Sequence, residues 1–277
     1  MSSVGRELSL AVRRSLGLCT LIVLLAGASQ IANAKEGPPA TSVLSAPVSV
    51  VTPPSESLVI GFMGGFVSRN ASHHAEVKLI QSLRGEYSSD VYFGMYENRR
   101  QDEAYAMIRE HLDSNRDGQL SEEEKNRAHI LLFGHSWGAY AVVALARRLN
   151  REGIPVMLTV QVDSVAKPFR NDSVIPANVH QAVNFYQTRG WIHGRRKISA
   201  ADPVHTEILG NFRLDYKEQP SEECSEYPRS ARWLMKGHIA IECDPQVWSQ
   251  VKTLLRSQLP PIVVTDNTTQ QTISAVR

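Results

Sequence analysis

The stretch from Ala128 to Leu149 constrains the fold more than any other. It reads AHILLF, then Gly134, His135, Ser136, Trp137 and Gly138, then AYAVVALARRL. An unbroken apolar run marks a strand buried on both faces, as in a parallel sheet, and the alanine-rich run after it marks a helix packed on that sheet. Few residues separate the two, so the chain must pass from strand to helix in a tight turn. Gly134 and Gly138 bracket Ser136 in that turn, where glycine permits the close backbone approach. A serine held there stands above the sheet edge, beside the unpaired amides of a helix amino end.

This arrangement resembles the G-x-S-x-G nucleophile elbow of the α/β-hydrolase superfamily. The resemblance covers residues 57 to 259. It implies a three-layer α/β/α sandwich, α/β-hydrolase-like, with a mostly parallel sheet of about six strands. Ser136 is then the nucleophile, and the Trp137 amide one donor to an oxyanion. Upstream, Leu58-Val59-Ile60 predicts a strand ending at Gly61, followed by Phe62-Met63-Gly64-Gly65-Phe66 and a helix over 72–85 that Ser72 can cap. Strand, glycine-rich loop and helix are similar to the oxyanion loop of lipases and esterases, which implies a second donor from the amide of Phe62 or of Met63. The family's usual His-Gly pair is missing here. His73 and His74 fall in the first turn of the helix and read as solvated.

The rest of a catalytic set follows in family order. Val156 to Val162 predicts a buried strand, and Asp163 stands at its carboxyl end, on the same rim as the serine. Asp163 is the expected triad acid. The superfamily often takes its acid after the next strand, here Ala182 to Tyr186, which makes Asp202 the rival. Residues 211–216 suit an amphipathic edge strand. His238 follows it and precedes a helix over 245–259, so the order is Ser, Asp, His, with His205 as the substitute base. One imidazole nitrogen must reach Ser136 and the other the carboxylate.

A helix over 101–112 runs into Asp113-Ser114-Asn115-Arg116-Asp117-Gly118-Gln119-Leu120-Ser121-Glu122-Glu123-Glu124. Oxygen side chains at Asp113, Asn115 and Asp117, a turn glycine at Gly118 and a closing Glu124 resemble the calcium loop of an EF-hand. The resemblance implies ligation by Asp113, Asn115, Asp117, the Gln119 carbonyl, Ser121 and Glu124. The loop at 113–124 stands alone, and its exit helix must end near Arg127, before the AHILLF strand. The expectation is a structural Ca2+ that clamps the crossover helix to the start of that strand, with no regulatory groove.

The chain ends frame this domain. Arg6, Arg13 and Arg14, the run LGLCTLIVLLAGA and the site Ala32-Asn33-Ala34 read as a signal peptide over 1–34, and so as export to a periplasmic or extracellular compartment with no lasting membrane anchor. Removing its three arginines and one glutamate takes the formal charge from +2 to 0. A neutral chain has no electrostatic reason to hold nucleic acid. Residues 35–56 are a Pro/Ser/Thr-rich linker, and 260–277 a polar, disordered tail. Of three cysteines, Cys19 leaves with the signal, and Cys224 with Cys243 reads as one disulfide around His238. The expected function is hydrolysis of a small-molecule or lipid ester, with Phe62, Met63, Phe66 and Trp137 at an apolar mouth. The competing readings are a thioesterase or peptidase, and a calcium-dependent binding module that has lost turnover. Oligomeric state leaves no mark in the sequence.

Overall fold

The computed structural model describes residues 57–87, 91–216, 225–227 and 229–261. In chain order these form β1 (Ser57–Met63), α1 (Ala75–Glu86), β2 (Val91–Glu97), α2 (Gln101–Leu112), α3 (Glu122–Asn126), β3 (His129–His135), α4 (Trp137–Asn150) and β4 (Val156–Val162). There follow β5 (Val174–Ile175), β6 (Val179–Tyr186), β7 (Ser199–Ala200), β8 (Glu207–Arg213), α5 (Arg229–Leu234), α6 (Lys236–Glu242) and α7 (Pro245–Gln258). The expected signal segment, the linker, most of the tail and Cys224 lie outside the described residues.

Successive side chains of the central strands enter two different cores. In β1, Leu58, Ile60 and Phe62 join one and Val59 the other; in β3, Ile130 and Leu132 join the first and Leu131 and Phe133 the second. A strand apolar on both faces needs cover on both. On one side α2 and α4 supply it through Ile108, Val142 and Leu145. On the other, α1 and α7 do so through Ile80, Leu83, Val251 and Leu255. The result is the three-layer α/β/α sandwich that the sequence implied.

The main sheet has six strands in the order β2-β1-β3-β4-β6-β8, all paired in parallel. The chain steps from β1 outward to β2, then crosses back to lay β3 on the other flank of β1. Connections leave β1 and β3 on opposite sides, and the crevice that opens above their carboxyl ends is where such sheets bind ligands. Gly64 and Ser136 stand at those two ends. β5 and β7 form a separate two-stranded ribbon.

Several boundaries differ from expectation for packing reasons. β1 continues through Phe62 and Met63, because Gly61 leaves room for its neighbours: a Cβ there would lie 2.4 Å from Met95 Sδ and 2.5 Å from the Phe133 ring. α1 starts after His74, not Ser72. The last strand lies earlier, at Glu207–Arg213, where it pairs with β6. His238 is carried by the short helix α6, not by a loop. Among the described residues, no helix is long and apolar enough to cross a membrane.

Candidate active site

Ser136 has φ 58° and ψ −124°, a conformation that side chains other than glycine rarely adopt and that costs about 1–3 kcal/mol. The surroundings enforce it. Its amide donates to the Val162 carbonyl at 3.0 Å, and its own carbonyl accepts from Val165 at 3.2 Å and Tyr140 at 3.3 Å. Both bracketing glycines are required by close contact: a Cβ on Gly138 would lie 2.1 Å from the Phe62 carbonyl oxygen, and one on Gly134 2.6 Å from the Gly138 carbonyl carbon. Trp137 opens α4, so its N–H has no acceptor within the helix.

The Ser136 hydroxyl donates to His238 Nε2 at 2.8 Å, and His238 Nδ1–H donates to Asp163 Oδ2 at 2.7 Å. Three elements thus converge: the turn after β3, helix α6 and the end of β4. All three side chains are buried, with Ser136 8 % and His238 6 % exposed and Asp163 wholly enclosed. Asp163 is held by more than the histidine. Its Oδ1 accepts from the amides of Gly194 at 2.7 Å and Gln187 at 3.2 Å, and its Oδ2 from the Gln187 side chain at 2.8 Å. Burial works against its charge, but the His238 hydrogen bond and charge, with Gln187, outweigh it and hold the carboxyl below its usual range. Asp163 is therefore ionised and accepts from Nδ1, which leaves Nε2 free to take the serine proton.

These groups face a cavity of about 480 Å3, lined by Ser136, Trp137, His238 and the Gly64–Val67 loop, with apolar walls from Ile192 and Met235. Phe66 is 84 % exposed and meets the Trp137 ring edge-on at 5.3 Å. Here the expected apolar mouth changes. Phe62 and Met63 are wholly buried within β1 and do not line the cavity, because the strand runs past them. The Gly64–Val67 loop lines it in their place, with Gly64 beside Ser136, so the apolar mouth does not come from the side chains of Phe62 or Met63.

Asp202 and His205 pair with each other at 2.7 Å and do not reach Ser136 or His238. In the loop over residues 113–124, Glu124 turns inward: one carboxylate oxygen accepts from Ser114, the other from the Ser121 amide and hydroxyl at 3.0 and 2.9 Å. Asp113 accepts from the amides of Asp117 at 3.1 Å and Gly118 at 2.8 Å, and Gly118 has φ +81°. Asn115 Oδ1 also accepts from the Asp117 amide at 3.0 Å, and Asp117 Oδ1 from the Gln119 amide at 2.7 Å. The donors to Glu124 draw its carboxyl down to about 2. Ser121 and Glu124 also form a capping box that starts α3.

Sequence reasoning missed a polar group behind the serine. His74 is 6 % exposed, not solvated, and Nδ1 meets both the Glu242 carboxylate and, at 2.9 Å, the Tyr227 hydroxyl. His135 packs its ring on His238 with centroids 4.6 Å apart. Burial pushes the His135 imidazole down to about 4 despite the Glu242 charge, so it is neutral near pH 7. Glu76 is wholly buried, and burial, then the Glu242 charge, push its carboxyl well up. Glu242 moves the other way: burial opposes its charge, but His135, His74 and Tyr227 outweigh it. No local signal marks this group, since α1 and α6 bring its members together from distant parts of the chain.

No protein-family model matches the chain, and no curated protein matches it. Among solved structures it is similar to an arylesterase, at 13 % identity over 74 % of this chain and 76 % of that one, with a TM-score of 0.39. It is similar to RedJ, with a polyethylene glycol in its active site, at 12 % identity over 68 % of this chain and 95 % of that one, TM-score 0.34. An acetyl xylan esterase gives 10 % identity over 74 % and 99 %, TM-score 0.33. At TM-scores this low, the fold rests on the chain's own sheet and the chemistry on its own side chains.

Proposed function

We propose that the chain is a serine hydrolase that cleaves carboxylic esters with an apolar acyl group through an acyl-enzyme. The observation that carries this reading is the pair of hydrogen bonds joining Ser136, His238 and Asp163 at 2.8 and 2.7 Å. As the Ser136 oxygen attacks the ester carbonyl, its proton passes to His238 Nε2. The Trp137 amide, with a second backbone amide from the end of β1 or the loop that follows it, receives the charge that develops on the carbonyl oxygen. Collapse of the adduct breaks the bond to the alcohol, which takes the proton from His238. Water repeats the steps, giving the free acid and restoring Ser136. Asp163 keeps its charge throughout, orients the imidazole and stabilises its protonated form.

The cavity's composition supports an uncharged, apolar acyl group. Phe66, Trp137, Ile192 and Met235 contribute hydrocarbon surface, and burial of each methylene is worth about 0.8 kcal/mol. A panel of p-nitrophenyl esters of graded acyl length tests this. Turnover that rises with acyl length and is abolished by Ser136→Ala is expected; no turnover of any ester by folded protein would exclude the reading.

The loop over residues 113–124 suits Ca2+ by donor type: Asp113, Asn115, Asp117, the Gln119 carbonyl, Ser121 and Glu124 all offer oxygen. A bound ion would neutralise the loop's carboxylates. The chain's own residues tie α2 to α3 and so fix the approach to β3. Export through the segment over 1–34 and a Cys224–Cys243 disulfide belong to the same reading. The disulfide would stabilise by about 3 kcal/mol in the chain-entropy picture.

A further inference from the structure

We propose that His74, Glu76 and Glu242 form a binding site for a divalent transition-metal ion of the zinc class, set in the wall shared with Ser136. One nitrogen and two carboxylate oxygens from these residues lie within 4.8 Å of one another. All three side chains are buried, at 6 %, 0 % and 6 % exposure. His135 Nδ1 stands 3.4 Å from one Glu242 oxygen and 3.8 Å from one of Glu76.

The independent sign of a ligand is Glu76 itself. Neither of its oxygens has a hydrogen-bond partner among the described residues, although its side chain is wholly buried. The nearby amides of Gly64 and of Glu76 favour its charged form, yet neither counts as a hydrogen-bond partner of the carboxylate. Buried polar groups are almost always satisfied, and a carboxylate out of water needs a proton, a partner or a metal. Here a second carboxylate, Glu242, stands beside it, which makes a cation the matching complement.

The donor set selects the ion. One imidazole and two carboxylates suit zinc, manganese or ferrous iron; the set offers no thiolate for a soft ion and fewer oxygens than the six to eight that calcium takes. Entry is available from two sides. His74, Glu76 and Glu242 line the Ser136 cavity, and Glu242 also lines a neighbouring cavity of about 460 Å3 with His73 and Tyr227. An ion there would tie the start of α1, which carries Glu76, to the end of α6, which carries His238. The site would then hold α6 in place, and its existence does not depend on Ser136 acting as a nucleophile.

The test uses the chain stripped of metal with a chelator and carrying Glu124→Gln, so that the calcium-like loop cannot contribute. Zn2+ is titrated by calorimetry and counted by native mass spectrometry, and melting is followed in parallel. The expected result is one Zn2+ per chain, with a zinc-dependent rise in melting temperature. Adding Glu76→Gln, which keeps the shape and removes the charge, should weaken zinc at least tenfold; His74→Gln should do the same, and serves if the first variant fails to fold. Absence of stoichiometric zinc, or zinc affinity unchanged in a folded ligand variant, would overturn the proposal.

Discussion

Gln187 donates to both oxygens of the Asp163 carboxylate, from its backbone N–H at 3.2 Å and from its side-chain amide at 2.8 Å. This grip fixes the plane of the carboxylate that the His238 ring must meet. Gln187 touches neither the serine nor the cavity, so it is a positioning residue. Gln187→Ala should lower kcat by roughly 10- to 100-fold and leave KM within about twofold, as expected when a catalytic group is misplaced by a fraction of an ångström. Steady-state kinetics with a saturating ester checks this. A rise in KM with kcat preserved would assign Gln187 to substrate binding.

Asp163 and Asp202 make opposite predictions. Asp163→Asn keeps the side-chain shape but can no longer hold the imidazole in the tautomer that accepts from Ser136. The turnover rate should fall by about 10⁴-fold with the chain still folded. Asp202 bonds His205 on the surface, and Asp202→Asn should leave turnover within about twofold. Parallel kinetics on the two variants decides between them.

The depressed Asp163 carboxyl also fixes the sign of a pH effect. Its folded value lies below the unfolded value of about 4, so its contribution to stability is fully present above that pH and is lost as pH falls through the folded value. The difference in melting temperature between the native chain and Asp163→Asn should be constant above about pH 5 and shift against the native chain below about pH 4. A flat difference down to the acid limit would show that the carboxylate is not held in its charged form.

What was legible in the sequence was what is local. The strand, turn and helix around Ser136 lie in one stretch, and Asp163 immediately follows the strand that positions it. The Asp163–His238 contact depends on the rim rule for parallel sheets, which constrains the choice of acid without needing a long-range prediction. The misses have a common cause in tertiary packing. β1 extends past Gly61 because Met95 and Phe133 fill the space beside it, and only the assembled sheet shows this. His74 is buried because its partner Glu242 arrives 168 residues later. The sequence KGHIAIE of α6 carries no helical period strong enough to separate it from a loop, and Gln187 carries no signal at all.

The calcium-like loop predicts a chelator effect on stability. Added Ca2+ should raise the melting temperature of chelator-treated protein by several degrees, and Glu124→Gln should remove most of that rise. The variant also loses part of the capping box at Ser121, so its metal-free melting temperature should fall slightly as well. Differential scanning calorimetry with and without Ca2+ separates the two effects. Equal Ca2+ responses in both chains would make the loop a plain capped turn.

The central claim is that Ser136 is a nucleophile activated by His238, and covalent labelling tests it most directly. A fluorophosphonate probe should add one phosphonyl group per chain, located by peptide mass spectrometry on Ser136 and absent from folded Ser136→Ala. A folded native chain that stays unlabelled at millimolar probe, or that labels at another residue while Ser136 remains unmodified, would contradict the account.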